Sequence, residues 1–148
     1  MNFALPYLAW LVALVATTGS LYFSEVMRLP PCSLCWYQRI LMYPLVFVLG
    51  VSLLTSDVRV RLYSLPLALT GLGVALYHNL LYYKIIPEGF TTCTAGVSCT
   101  SRQIEWAGFI TIPLLSLVAF ALISLLLSLH RPFQESAHVP ARQSVTEA

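Results

Sequence analysis

Apolar residues in this chain run in long unbroken stretches, not in the alternating or three-to-four spaced patterns of half-buried strands and helices. Phe3 to Phe23, Leu62 to Tyr83 and Trp106 to Leu129 hold no charged residue, and Trp36 to Thr55 holds only Arg39, near its start. A helix crossing roughly 30 Å of hydrocarbon at about 1.5 Å per residue needs about 20 such residues. Four transmembrane helices are predicted, joined by Ser24 to Cys35, the short Ser56 to Arg61, and Lys84 to Glu105. The expected fold is an all-α membrane protein, an antiparallel four-transmembrane-helix bundle. Residues 1–129 make the membrane domain, and residues 130–148, polar and holding Pro132 and Pro140, a flexible cytoplasmic tail. The first stretch is expected to be a retained helix rather than a signal peptide, since it lacks a positively charged n-region and its apolar run is longer than the usual signal-peptide core. Pro6, Pro44, Pro66 and Pro113 fall inside the spans, which membrane helices tolerate where neighbours cover the freed backbone groups. Gly71 and Ala75 form a small-xxx-small pair suited to close helix packing.

Composition agrees with a lipid-embedded chain. Hydrophobic residues are 58% and charged residues 9%, against about 25% charged in soluble domains. Eight Lys and Arg against six Asp and Glu, spread over the whole length, give no basic patch able to neutralise several phosphates, so nucleic acid is excluded as a partner.

With four spans, the first and third loops share one side, opposite both termini and the second loop. All four cysteines lie in or at the end of those two loops: Cys32 and Cys35 in the first, Cys93 and Cys99 in the third. Positive charges do not orient the bundle, since Arg59, Arg61, Arg131 and Arg142 on the terminal side balance Arg28, Arg39, Lys84 and Arg102 on the cysteine side. Only if Arg39 is set aside as a functional charge does the balance lean toward cytoplasmic termini. Paired cysteines persist in oxidising surroundings, which puts the cysteine face outside the cytoplasm.

Pro30 and Pro31 stop any helix before Cys32-Ser33-Leu34-Cys35. Cys35 therefore falls near the first turn of the second span, where unpaired backbone N–H groups and the helix dipole favour a thiolate. Arg39 follows one turn deeper on the same face. An arginine at that depth either snorkels to headgroups or serves chemistry, and the neighbouring thiol pair favours chemistry. Cys93 and Cys99 enclose five residues around Gly96. So short a ring removes little chain entropy, so a redox role explains the pair better than a staple does. Four-cysteine zinc is disfavoured by the spacing, and haem attachment by Trp36, which stands where a histidine is required. Two structural disulfides in a non-catalytic scaffold stay open. A two-pair relay ending in a hydrophobic two-electron acceptor, a membrane quinone, fits the arrangement. Trp36, Tyr37, Tyr43, Tyr77, Tyr82, Tyr83 and Trp106 cluster toward this face, most of them as an interfacial aromatic belt.

Three segments resemble the DsbB family of quinone-linked thiol-disulfide oxidoreductases, most closely its short BdbC-type branch. They are Gly19 to Glu25, Pro31-Cys32-Ser33-Leu34-Cys35-Trp36-Tyr37-Gln38-Arg39 with its continuation to Pro44, and Trp106 to Pro113. The resemblance implies that a DsbA-like (BdbD-type) thiol oxidase forms a mixed disulfide with Cys93. Cys99 then attacks Cys32, and Cys35 faces a membrane quinone, ubiquinone or menaquinone, beside Arg39. It also places His78 near the quinone site, although Tyr77 stands where longer members carry an acidic residue. A vitamin K epoxide reductase-like reading shares four helices and the C-x-x-C, but the short outer loop and Trp36-Tyr37-Gln38-Arg39 argue against it. The implied setting is the bacterial cytoplasmic membrane, with the lipid bilayer as constant partner.

Overall fold

A computed structural model describes residues 4–57, 59–86 and 111–130. Four helices account for most of them: α1 (Ala4–Leu21), α2 (Ser33–Thr55), α3 (Val60–Tyr82) and α4 (Ile112–Leu129). A π-helical turn, Tyr22–Val26, continues α1. By length and composition all four helices are able to cross a membrane, as the apolar stretches predict. Each packs on two neighbours, α1 on α2, α2 on α3, α3 on α4 and α4 on α1, closing a ring around one core. Ala9, Ala13, Leu45, Leu49, Ala68, Ala75, Phe120 and Ile123 fill that core. The outward faces carry Phe47, Leu54, Leu62 and Val15, the arrangement expected when the surrounding solvent is lipid.

Two α-helix starts differ from the sequence expectation by three residues or more. α2 begins at Ser33, three residues before Trp36, because Cys32 takes the N-cap position and its sulfur accepts from the Cys35 backbone N–H at 3.4 Å. α4 begins at Ile112, where Thr111 caps it and Pro113 occupies the first turn; Pro suits that position because its missing N–H has no helical acceptor there. Residues 106–110, expected as the start of this span, lie outside the described residues, as does the tail from residue 131.

Polar groups tie the helices at a few points. The Trp10 indole N–H donates to the Val46 carbonyl at 3.1 Å, joining α1 to α2. Buried Asn79 donates to the carbonyls of Ala75 and Pro113, each at 2.8 Å, joining α3 to the first turn of α4. Small residues set the closest approach. A methyl group added at Gly71 would run into the Phe120 ring, so the absent side chain is what lets α4 seat its phenylalanine. Gly71→Ala is expected to destabilise the bundle by about 1–3 kcal/mol, the usual range for overpacking. A lowered thermal midpoint in detergent, largely restored by adding Phe120→Leu, checks this.

Candidate redox site

The site is built around the start of α2. With Cys32 at the N-cap, Cys35 falls in the first turn and the two sulfurs lie 2.7 Å apart. Sulfur, nitrogen and sulfur ligand atoms of Cys32, His78 and Cys35 gather within 4.8 Å of one another, a group able to hold a metal ion. Two thiolates on one tetrahedral zinc stand about 3.8 Å apart, from bonds of about 2.3 Å. Sulfurs at 2.7 Å suit exchange with each other better than shared ligation.

The two cysteines face different surroundings. Cys32 is buried, packed with Leu34 and Leu81 and flanked by Tyr77. Its sulfur lies 3.8 Å from His78 Nε2, and the Gln38 amide nitrogen lies 3.1 Å from His78 Nδ1. With that amide donating to Nδ1, the ring proton sits on Nε2 and points at the Cys32 sulfur. Just outside the span, the Cys32 thiol is pushed up to about 12, first by its hydrogen bond with Cys35 and then by burial, while the His78 hydrogen bond pulls the other way. His78 and Gln38 are themselves buried, so this is a water-poor polar cluster under α3.

Cys35 is half-exposed and faces a cavity of about 560 Å³ between α1, α2 and α4. Its walls are mostly apolar, with Val12, Ala16, Leu115 and Phe120 among them, and Arg39, Gln38, Ser20 and Tyr43 belong to the residues that line it as well. Volume and lining are those of a site for a mid-sized, largely apolar ligand with a few polar anchors. Arg39 is held, not loose: its Nε donates to the Ser20 hydroxyl at 3.0 Å and its Nη2 to the Ser20 carbonyl at 2.9 Å. Its guanidinium also stands over the Trp36 ring, 5.6 Å from the centroid. Ser20 lies two residues before the π-helical turn, a wide turn often found at functional sites.

Sequence reasoning singled out Cys32, Cys35, Arg39 and His78, and the structure brings all four to one end of the bundle. Cys35 and Arg39 share the cavity; His78 lies against Cys32 and is not among the lining residues. Cys93 and Cys99 lie outside the described residues. Sequence reasoning assigned no role to Ser20 or Gln38, although both belong to the segments that carry the resemblance.

Comparison with known proteins points the same way. The family model described as "Disulfide bond formation protein DsbB" matches residues 3–130. Disulfide bond formation protein C of Bacillus subtilis (strain 168) is 49% identical over 123 residues, covering 83% of this chain and 89% of its own. A probable disulfide formation protein of Deinococcus radiodurans is 48% identical over 131 residues, covering 82% of this chain and 85% of its own. A probable disulfide formation protein C of Halalkalibacterium halodurans is 50% identical over 119 residues, covering 78% and 84%. No solved structure matches the chain significantly.

The contrast between the sulfurs is testable. At pH 8 the Cys32 thiol keeps its proton, since the pH lies well below about 12, and it is buried as well. In the reduced protein, with Cys93 and Cys99 replaced by alanine, iodoacetamide is expected to modify Cys35 at least about tenfold faster than Cys32. Mass spectrometry of the alkylated peptides at short times measures the ratio.

Proposed function

Because this chain belongs to the DsbB family of disulfide bond formation proteins, and so is a multi-pass membrane thiol-disulfide oxidoreductase, we propose that it reoxidises an extracytoplasmic DsbA-like (BdbD-type) thiol oxidase at the expense of a membrane quinone. One observation carries the reading: Cys35, half of the C-x-x-C, opens with Arg39 into an apolar cavity within the membrane-spanning part of the bundle.

The residues present fit a quinone. The cavity is apolar enough for its ring and tail, and its cation and hydroxyls are placed to meet ring oxygens. Cys35 and Arg39 would hold the ring side. When bound, a quinone supplies a sink for two electrons and two protons, leaving Cys32 and Cys35 as a disulfide. The protein's part is thiol exchange. A thiolate of the reduced partner attacks Cys93 of the outer disulfide and Cys99 leaves; the partner's second thiol then displaces Cys93 and carries away the new disulfide. Cys99 attacks Cys32 and Cys35 leaves as a thiolate, its negative charge favoured by Arg39 and by the N-terminal end of α2. Cys93 attacks Cys99, restoring the outer disulfide and releasing Cys32. The His78 Nε2–H donates to the Cys32 sulfur as negative charge develops there, and Gln38 holds the ring for that contact. His78 thus serves the thiol pair from the side away from the cavity.

The cysteine loops face outward and both termini inward, in the bacterial cytoplasmic membrane, because exchange with an oxidising partner needs the oxidising side. Arg39, held by Ser20 at the site, counts as a functional charge, which tips the balance of the remaining positive charges the same way.

The direct test is steady-state quinone reduction by the detergent-purified protein supplied with a reduced DsbA-like protein. Turnover supports the reading, and its absence with both ubiquinone and menaquinone overturns the quinone link, leaving a thiol-disulfide oxidoreductase with another electron acceptor. Arg39→Ala is expected to slow turnover by at least roughly tenfold, a barrier change of about 1.4 kcal/mol. Arg39→Lys falls between, since an ammonium keeps the charge but cannot reproduce the forked contact with Ser20. A partner variant that keeps its attacking thiol but lacks its second one is expected to stay linked to Cys93 of the otherwise unaltered protein, visible on a non-reducing gel, whereas Cys93→Ala, which has no outer disulfide, gives no such complex.

A further inference from the structure

Gln38 belongs to both halves of the site. It lines the cavity that holds Cys35 and Arg39, and its amide nitrogen meets His78, which is not among the lining residues. The residue is only 7% exposed, so its amide has few places to find partners. The nitrogen end has one in His78 Nδ1, at 3.1 Å. The oxygen end accepts no hydrogen bond among the described residues, yet it is not one of the buried polar atoms that lack both a partner and accessible surface. The Gln38 amide oxygen thus keeps an open side, and the opening that this residue lines is the cavity. A nearly buried acceptor so placed is satisfied by what occupies the cavity.

His78 decides which end of the amide is left over. A side-chain amide turned about its last bond exchanges donor for acceptor with almost no change of shape. Here the turn is opposed. With the His78 Nε2–H directed at the Cys32 sulfur, Nδ1 is an acceptor that the NH2 end of Gln38 can meet and the oxygen end cannot. Gln38 therefore offers the cavity an acceptor, while Arg39 offers it a group that only donates. We propose that Gln38 makes the cavity prefer the reduced form of a quinone, its amide oxygen accepting a hydrogen bond from a ring hydroxyl that exists only after reduction. The proposal rests on the reading of the cavity as a quinone site. As Cys32 and Cys35 give up two electrons and two protons and form their S–S bond, both ring carbonyls become hydroxyls. An oxidised ring has no polar hydrogen and meets the Gln38 oxygen as one acceptor meets another; a reduced ring brings the missing donor. Tighter binding of the reduced ring raises the potential of the bound quinone and draws electrons from the thiol pair. Gln38 is in this way a specificity-determining residue, and His78 acts on the ring through it.

The test uses the full chain, oxidised and stripped of quinone. It measures binding of a short-tailed naphthoquinone and, under argon, of its hydroquinone by quenching of tryptophan fluorescence. Free concentrations are corrected for partition into detergent, and ring absorbance confirms that each ligand keeps its redox state. Wild-type protein is expected to bind the hydroquinone at least about threefold more tightly than the quinone, the effect of one neutral hydrogen bond. Gln38→Met, similar in length but without an acceptor of comparable strength, is expected to lose about threefold to tenfold in hydroquinone affinity and nothing in quinone affinity. A tenfold change in that ratio equals about 30 mV in the two-electron potential of the bound ring. Gln38→Glu keeps an acceptor oxygen and is expected to keep the preference. A residue that merely supported His78 would leave the ratio of the two affinities unmoved. An equal loss for both ligands in Gln38→Met, an unchanged ratio, or loss of the preference in Gln38→Glu overturns the proposal. So does a wild-type protein that binds both forms equally, which leaves the quinone site intact. Failure of the wild-type protein to bind either form overturns both the proposal and the quinone reading beneath it.

Discussion

The hydrogen bond from the Cys35 backbone N–H to the Cys32 sulfur decides where α2 begins, and the rest of the site follows from that point. Two prolines bar the helix from starting earlier, and the sulfur cap starts it at Ser33. From there the helical repeat sets the depth of each functional residue: Cys35 in the first turn and Arg39 one turn below. A start shifted by a single residue would rotate this stripe by about 100°, away from the cavity. A thiol therefore serves both as cap and as half of the redox pair, which ties the local fold to the chemistry.

The bundle places the two sulfurs in unlike surroundings although they lie 2.7 Å apart. Cys32 looks toward buried His78 and Gln38 beneath α3, and Cys35 looks into an apolar cavity between α1, α2 and α4. This asymmetry is what a relay needs. On the proposed sequence one sulfur exchanges with other thiols and keeps its charge under control through a histidine, while the other meets a lipid-soluble acceptor. Arg39 can stand inside the membrane boundary because Ser20 satisfies its Nε and Nη2 donors and Trp36 covers its face. A cation there is costly when unpaired, so Ser20 contributes to stability as well as to orientation.

Much of this was legible in the sequence for identifiable reasons. Four uninterrupted apolar stretches leave a bilayer-spanning bundle as the economical solution, and loop parity gathers the cysteines on one side. Arg39 stood out as a single charge in an apolar run. Its partner did not, because Ser20 is 19 residues away and contact between α1 and α2 depends on the angle at which they pack. Gln38 and His78 are 40 residues apart, and neither lies in a periodic pattern that would pair them. The resemblance implied a place for His78 near the quinone; its contact with the Cys32 sulfur, 46 residues away in the chain, is one that no sequence pattern encodes.

Photolabelling tests the central claim, that the cavity beside Cys35 and Arg39 is where a quinone sits. The purified protein is irradiated with a short-tailed azidoquinone, and the modified peptides are mapped by mass spectrometry. The account predicts label on cavity-lining residues of α1, α2 and α4, displaced by excess unlabelled quinone and strongly reduced in Arg39→Ala. Displaceable label confined to the outward lipid-facing surface, or to the end of the bundle where α2 turns into α3, would contradict it.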